Sequence, residues 1–311
     1  MAKVIHVVAA AICDGRGQVL VARRAQSAHQ GGLWEFPGGK VEAGESRETA
    51  LSRELQEELG ITPSEMRPLI CLTHHYPDKS VCLDVWKVSA FTGVPEGKEG
   101  QPLAWVAVDS LNPDVFPAAN APIIKAVQFS ELIAVSPAVS THEEVRQWLK
   151  QQLAGSVGIL QLRLPDWQPE QRMEFAIEHA ADVEAAGKHL LVNVPVASFR
   201  AGAGLGLHLP QQDLMSLKQR PVPADTLFTV SCHDIASLQK AEAVHADAIL
   251  LGTVLPSASH PDGKCLGWDL AAQMISSVRT PVYLLGGMSR DHLPQAWSAG
   301  AQGVAGIRSF L

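Results

Sequence analysis

The second part of the chain alternates short apolar segments with amphipathic helical ones, and this rhythm restricts the possible folds more than any other sequence feature. Eight strand candidates fall at residues 132–135, 157–162, 189–192, 205–208, 227–230, 248–251, 282–285 and 303–305. Helix candidates between them fall at residues 141–152, 168–186, 235–243, 268–278 and 290–299. Short apolar strands joined by helices form parallel sheets, and eight of them in about 180 residues predict a closed (β/α)8 barrel of the TIM type.

The first part of the chain has a different pattern, which predicts a separate α/β domain. Strand candidates lie at residues 4–12, 18–23, 81–88 and 104–108, helices at 47–59 and 121–129, and a Pro/Gly-rich loop at 34–39. Gly60 lies just beyond the first helix, where glycine commonly ends helices. A chain of 311 residues is long enough for two domains. We predict domain boundaries of 1–131 and 132–311.

Composition excludes several classes of protein. Hydrophobic residues make up 46% of the chain and the formal net charge is −7, so the chain can build packed cores but lacks the basic surface that nucleic-acid binding requires. No apolar run approaches the roughly 20 residues that span a bilayer. The five cysteines include no C-x-x-C pair, which favours a reducing cytoplasmic location over a disulfide framework. We therefore expect neither membrane nor direct nucleic-acid binding.

The most informative segment is GKVEAGESRETALSRELQEELGI, residues 39–61. Its helix places Glu54, Glu57 and Glu58 on one face, where like charges repel each other and a cation would relieve the repulsion. Carboxylate oxygens suit Mg²⁺, and the Gly38 carbonyl could supply a further oxygen. Lys40 and Arg53 bring positive charge that could meet phosphate or orient a carboxylate, and a solvated acidic helix face is the alternative interpretation.

The same segment carries a longer pattern, G-x₅-E-x₇-R-E-U-x-E-E-x-G-U, where U is apolar. It is matched by Gly39, Glu45, Arg53, Glu54, Leu55, Glu57, Glu58, Gly60 and Ile61. This is the Nudix box, and residues of about 4–129 resemble the MutT-type Nudix hydrolases, the 8-oxo-dGTP diphosphatases, also in ARRAQSAHQGGLWEFPGGK, YPDKSVCLDVW, GKEGQPLAWV and FPAANAPII. The resemblance implies an α/β/α sandwich with a mixed sheet.

The resemblance also implies the site residues. The metal ligands would be the Gly38 carbonyl, Glu54, Glu57, Glu58 and Glu99, holding Mg²⁺, with Mn²⁺ as a possible substitute. Arg24, His29, Glu35, Phe36, Pro37, Gly38 and Asn120 would contact the nucleotide. Glu45 and Arg53 would orient the ligands. Lys79 departs from the pattern, which prefers arginine there, so a point charge replaces a planar fork.

The reaction implied is metal-assisted hydrolysis of 8-oxo-dGTP to 8-oxo-dGMP and pyrophosphate, which would sanitise the nucleotide pool and limit mutation. Arg53 would assist, and either Glu54 or Glu99 would be the general base. Another nucleotide or a thiamine-related diphosphate is the alternative substrate.

Residues of about 132–311 resemble the thiamine-phosphate synthase and TenI-like barrels in ILQLR, GLHLPQQDL, VSCHDIASLQKAE, ILLGTVLPSASHP and VYLLGGMSRDHLPQAWSAGAQGVAGI. Gly286 and Gly287 could bind phosphate through backbone N–H groups, and His233 lies where tautomerase-like members carry a catalytic histidine. The chain departs from the synthase pattern at Leu164, in place of lysine, and at Val194-Pro195, in place of an acidic and a basic residue. A tautomerase, a module that binds thiazole or thiamine phosphate, and a purely structural domain remain open.

Overall fold

The computed structural model describes residues 4–27, 30–75, 80–139, 141–256 and 264–307. It divides into two compact units, Met1–Gln128 and Phe129–Leu311, three residues before the predicted boundary. Within the described ranges, no helix is long and apolar enough to cross a membrane.

Unit 1 is a six-stranded mixed sheet with helices on its two faces, as the resemblance implied. Its strands are β1 Val4–Cys13, β2 Gln18–Arg23, β3 Trp34–Glu35, β4 Thr62–His75, β5 Ser80–Thr92 and β6 Leu103–Ala107, and its helices are α1 Arg47–Leu59 and α2 Ala121–Gln128. Three 3₁₀ turns, Val108–Ser110, Pro113–Val115 and Ala118–Asn120, precede α2. The strand order is β3-β2-β1-β5-β4, with β6 also paired to β2, and β1 runs parallel to β5.

The alternation of side chains along β1 explains the layering of unit 1. Val8, Ala10 and Ile12 pack with the leucines of α1, whereas Ala9 and Ala11 pack in the cluster that contains α2. Because successive strand residues point to opposite faces, the apolar run of β1 from Val7 to Ile12 supplies both cores.

The long strand β4 was not predicted from the sequence. It contains Pro63 and Pro68, which cannot donate to a sheet and which argue against a strand. β4 pairs only with β5, at the edge of the sheet, and its register shifts beside both prolines. The edge position tolerates residues that a central strand would not.

Unit 2 is a closed parallel barrel of eight strands, which confirms the predicted architecture. Its strands are β7 Leu132–Val135, β8 Ile159–Leu162, β9 His189–Asn193, β10 Leu205–Leu209, β11 Phe228–Cys232, β12 Ala248–Gly252, β13 Val282–Leu285 and β14 Gly303–Gly306. Its helices are α3 His142–Ala154, α4 Pro169–Glu178, α5 Ala180–Ala185, α6 Gln211–Ser216, α7 Ile235–Ala243, α8 Gly267–Ile275 and α9 Leu293–Ser298, with 3₁₀ turns at Val196–Ser198 and Arg290–His292.

Two predicted helices of unit 2 are interrupted. The segment 168–186 breaks at His179, whose backbone leaves the helical region between α4 and α5. The segment 290–299 begins as a 3₁₀ turn, and Pro294 lies in the first turn of α9. Proline lacks an N–H and is tolerated only there, so α9 starts anew at Leu293.

Candidate functional site

Helix α1 is capped at both ends and carries the acidic side chains on one face. The Ser46 side chain accepts a hydrogen bond from the Thr49 N–H at the N-terminus, and Gly60 ends the helix in the left-handed region at φ 69°. The side chains buried against the sheet include Leu51, Leu55 and Leu59. With the leucines buried, the glutamates at positions 54, 57 and 58 lie along one side of the helix.

The loop at residues 37–40 lies so close to β1 and α1 that a side chain at Gly38 or Gly39 would collide with a neighbour. Two β1 N–H groups donate to the carbonyls of Pro37 and Gly39, at 2.8 and 2.9 Å. Gly38 has φ +146°, and a Cβ there would lie under 3.0 Å from the Val8 carbonyl oxygen. A Cβ on Gly39 would lie under 3.0 Å from the Glu54 carboxylate. The Glu54 carboxyl group therefore lies directly over Gly39.

Arg53 links the acidic side chains to one another. Its Nε and Nη2 donate to the two carboxylate oxygens of Glu45, at 3.0 and 3.1 Å. Its Nη1 donates to Glu54 at 2.9 Å and to Glu57 at 3.1 Å, and Nη2 also donates to the Lys40 carbonyl at 3.1 Å. The hydrogen bond to Glu45 is the main cause that raises the pKa of Arg53, and the same bond lowers the pKa of Glu45. Arg53 therefore connects Glu45 with Glu54 and Glu57, and the positioning role of Arg53 and Glu45 stays a prediction.

Glu58 lies close to the carboxyl groups of Glu35, Glu54 and Glu99, and these four groups form the carboxylate cluster. Burial is the main cause that raises the pKa of Glu58 to about 7. The Gly38 N–H, which donates to Oε2 at 3.1 Å, acts in the opposite direction. The negative charges of Glu35, Glu54 and Glu99 raise the pKa further. The carboxyl groups of Glu35, Glu54 and Glu99 are thus close enough to oppose the ionisation of Glu58.

Glu99 is brought to this cluster by a loop that caps α1. The Lys98 N–H and the Gln101 side chain both donate to the Glu58 carbonyl, at 2.9 and 3.0 Å. The Gln101 side-chain oxygen accepts from the Glu99 N–H at 2.9 Å. Sequence reasoning missed Gln101, although its place after the Gly100 turn beside a predicted ligand was a possible signal.

The cluster fits a hard divalent cation by its donor chemistry. Its carboxylates supply oxygen ligands of the kind that Mg²⁺ prefers, and such a cation would relieve the repulsion that Glu35, Glu54 and Glu99 exert on Glu58. Over the described ranges, no three His, Cys, Asp or Glu side chains converge closely enough to form a metal site. The predicted ligands Glu54, Glu57, Glu58 and Glu99 therefore stay a prediction, and they would have to close around the ion.

A cleft of about 260 Å³ lies beside the cluster. It is lined by Ile5, Val7, Ala9, Arg24, Gln30, Glu35, Phe36, Gly38, Lys40, Val81, Leu83, Pro117, Ala119, Asn120 and Ile123. Most of the predicted nucleotide-binding residues thus share one cavity, whereas Pro37 is absent from its wall. His29 and Lys79 lie outside the described residues. The apolar wall formed by β1 and β5 was not anticipated from the sequence.

Polar side chains form part of the lining of this cleft. Arg24 and Glu35 form an ion pair through Nη1 and Oε2. Burial is the main cause that raises the pKa of Glu35, and the Arg24 charge opposes it. Asn120 is 9% exposed and ends the 3₁₀ turn before α2. Its amide offers both a donor and an acceptor to a ligand in the cleft.

The predicted residues of unit 2 lie beyond the ends of its strands. His233 follows β11, and its Nδ1 bonds the Gly252 carbonyl. Because a carbonyl only accepts, Nδ1 carries the hydrogen and Nε2 keeps a lone pair in the neutral ring. Gly286 and Gly287 follow β13 with φ +96° and +66°, and a Cβ on either would collide with residues 253–256. Close packing alone accounts for both glycines.

Two of the three residues that depart from the synthase pattern are buried in the core of unit 2, whereas Pro195 is exposed. Leu164 and Val194 are 0% and 1% exposed and pack in the cluster between the barrel and its helices. Aliphatic side chains in that position can bind neither pyrophosphate nor a metal ion.

The interior of the barrel contains polar side chains that sequence reasoning missed. His208 bonds Thr229 Oγ1 at 2.8 Å and Ser231 Oγ at 2.9 Å, and burial lowers the pKa of His208 to about 3. Gln161 is 2% exposed, and its Nε2 has no hydrogen-bond partner among the described residues. Buried amides are normally paired, so a water molecule or a ligand group at this position would complete the hydrogen bonding of Gln161.

Two family descriptions match the chain, one for each unit. The NUDIX domain matches residues 8–126, and thiamine monophosphate synthase matches residues 132–310.

Three relatives illustrate this division. The 8-oxo-dGTP diphosphatase of Escherichia coli K12 is 43% identical over 122 residues, which are 39% of this chain and 95% of that protein. The CTP pyrophosphohydrolase of the same organism is 38% identical over 136 residues, 44% of this chain and 98% of that protein. The putative thiamine-phosphate synthase 2 of Aquifex aeolicus VF5 is 28% identical over 185 residues, 60% of this chain and 100% of that protein.

Proposed function

The chain belongs to the Nudix family through residues 8–126 and to the thiamine monophosphate synthase family through residues 132–310, and from this premise we propose that unit 1 hydrolyses a nucleoside triphosphate to the monophosphate and pyrophosphate. One observation carries the proposal: the carboxylate cluster borders the cleft. Gly38 belongs to both, because it lines the cleft and donates to Glu58.

Each part of the site has a chemical task in this reaction. Glu54, Glu57, Glu58 and Glu99 would hold Mg²⁺, which when bound neutralises phosphate charge and acidifies a water molecule. Arg53 positions Glu54 by donating one hydrogen bond to it, while another hydrogen bond ties Arg53 itself to Glu45. Glu54 or Glu99 accepts the proton of the attacking water.

The base-binding end of the cleft supports 8-oxo-dGTP as the substrate. The buried Asn120 can pair with the edge of a purine through its donor and acceptor. Arg24 and Lys40 supply positive charge along the same wall. Of the two hydrolase relatives, the 8-oxo-dGTP diphosphatase has the higher identity to this chain. CTP and thiamine diphosphate are the competing substrates.

Steady-state kinetics of the full chain with Mg²⁺ test this proposal. We expect kcat/KM for 8-oxo-dGTP to exceed the values for dGTP, CTP and thiamine diphosphate. Equal cleavage of dGTP would refute the sanitising role, and faster cleavage of CTP would reassign the substrate.

A Glu54→Gln variant tests the site itself. We expect its kcat to fall by about 10²–10⁴-fold, the range for a lost acid–base group, with an unchanged circular dichroism spectrum. Glu48→Gln is the matched control, because Glu48 is an exposed glutamate in the first turn of the same helix. Near-normal turnover of Glu54→Gln would refute the assignment.

The buried Gln161 Nε2, which has no hydrogen-bond partner among the described residues, favours a second function, in which unit 2 binds a thiazole or thiamine phosphate. Because Leu164 and Val194 are buried aliphatics, synthase activity is not expected, whereas binding or His233-dependent tautomerisation is. Calorimetry of the full chain with thiazole phosphate should show binding that Gln161→Leu weakens. Absence of heat with the wild-type chain would refute this function.

A further inference from the structure

Two cysteines of unit 1 lie side by side on neighbouring strands. Cys71 on β4 and Cys82 on β5 are both free thiols, and their Sγ atoms are 3.6 Å apart. In the strand register Cys71 is opposite Asp84 and Cys82 is opposite Thr73, so the two thiols are diagonal neighbours. A disulfide has an S–S distance of about 2.05 Å. The sulfur atoms therefore need to approach by only about 1.5 Å to bond.

The pair lies on the face of the sheet opposite the cleft. Val81 and Leu83 of β5 line the cleft, and alternate strand residues point to opposite faces. Cys82 therefore points to the face that carries α1, where Arg47 donates to Asp84 at 2.9 Å. Cys71 is exposed and Cys82 is half-buried. A small oxidant can reach the thiols without entering the cleft, and the hydrolysis reaction uses neither of them.

The pKa values of the two thiols are shifted in opposite directions. A hydrogen bond from the Cys71 thiol is the main cause that lowers the pKa of Cys82 to about 6, with a further contribution from His6. Burial and the Asp84 charge oppose that shift. The same hydrogen bond raises the pKa of Cys71. The hydrogen bond thus favours the thiolate form of Cys82 and the thiol form of Cys71, which is the arrangement of reactive cysteine pairs.

We propose that Cys71 and Cys82 are a modification site at which a peroxide forms a reversible disulfide. The Cys82 thiolate attacks one peroxide oxygen, the O–O bond breaks, and the leaving hydroxide takes a proton to become water. The resulting sulfenic acid is then attacked by the Cys71 sulfur, which loses its proton as the second water leaves. The two thiols lose two electrons and two protons in total, and hydrogen peroxide is reduced to two waters. A dithiol reductant reverses the bond by exchange.

Peptide mapping of the peroxide-treated full chain tests the proposal. Lys79 lies between the two cysteines in the sequence, so trypsin separates their peptides unless a disulfide joins them. We expect a linked pair of peptides, lighter by two hydrogen atoms than the two separate peptides together, from the monomer band of a non-reducing gel. Two of the five thiols should be lost from the titration and restored by dithiothreitol.

Single cysteine variants make the test specific. Cys71→Ser and Cys82→Ser should abolish the linked pair, and Cys71→Ser should instead leave Cys82 as a sulfenic acid that dimedone traps. Cys13→Ser, which removes another thiol of unit 1, should leave the link intact. The proposal is overturned if peroxide consumes thiols without joining these peptides, or if the link forms only between two chains. This readout is covalent and does not depend on whether unit 1 hydrolyses nucleotides.

Discussion

Replacing Gly39 by alanine should displace the Glu54 carboxylate while leaving the fold in place. The backbone of Gly39 is outside the left-handed region, so alanine can adopt it. Its new Cβ, however, would lie under 3.0 Å from the carboxyl carbon and both oxygens of Glu54. Because that group is the end of a flexible side chain, the carboxylate moves and the backbone stays.

The size of the effect follows from the displacement. Ordinary contact begins at 3.4 Å, so the carboxylate must retreat by on the order of 1 Å, a misplacement that costs roughly 100-fold in rate. A 100-fold loss corresponds to about 2.7 kcal/mol of transition-state free energy. The free energy of unfolding should change by only about 1 kcal/mol, because the Arg53–Glu54 pair that is broken lies near the surface.

Two measurements separate catalysis from stability in Gly39→Ala. We expect kcat/KM for the preferred nucleoside triphosphate to fall about 100-fold, while the midpoint of urea unfolding stays close to that of the wild-type chain. Gly155→Ala is the control, because a Cβ there meets only ordinary contacts at 3.6 Å. Activity within twofold of wild type would refute the placement of Glu54 over Gly39. A fraction of unfolded protein large enough to explain the loss of activity would refute it as well.

Three further changes test other parts of the structure. Gly38→Ala should lower the free energy of unfolding by about 3 kcal/mol, because its Cβ meets the rigid Val8 carbonyl at φ +146°; an unchanged urea midpoint would contradict this. Because burial lowers the pKa of His208 from 6.5 to about 3, the unfolded chain binds the extra proton, and the stability is full above pH 6.5 and is lost as the pH falls. In urea titrations the free energy of unfolding of the wild-type chain, taken relative to that of His208→Gln, should therefore fall by about 2 kcal/mol between pH 8 and pH 5; a constant difference would contradict the burial of His208. Cys71→Ala should move the inflection of Cys82 alkylation from about pH 6 toward the ordinary 9.0, as rates from pH 5 to 10 would show; an unmoved inflection would contradict the hydrogen bond between the thiols.

The fold was predictable where apolar pattern and strand order coincide. In unit 2 each buried strand is a short and mostly apolar run, and the strands join the barrel in chain order, so local pattern was sufficient. Strand β4 was missed because Pro63 and Pro68 argue against a strand in the sequence, whereas its formation depends on pairing with β5. The break at His179 had no local signal at all.

The candidate site was predictable only where it is local in sequence. The glutamates of α1 and the cap at Gly60 follow from helix spacing and the end of one pattern. The hydrogen bond from Gln101 to the Glu58 carbonyl spans 43 residues, and the contact between Cys71 and Cys82 depends on the register of two strands. Such contacts are determined by tertiary packing, which no short motif encodes.

Phe129 and Ser130, which follow α2, cover the end of the barrel at which its strands begin. Phe129 packs against the apolar cluster inside the strands, and its carbonyl accepts from the Gln302 side chain at 3.3 Å. The Ser130 carbonyl accepts from the Tyr283 hydroxyl, and the Ser130 hydroxyl accepts from the Gly158 N–H at 3.2 Å. Any exchange of the first unit, by recombination or in the laboratory, must therefore join the new domain before Phe129. A junction at Leu132, where β7 begins, would remove the contacts of Phe129 and Ser130 from the barrel.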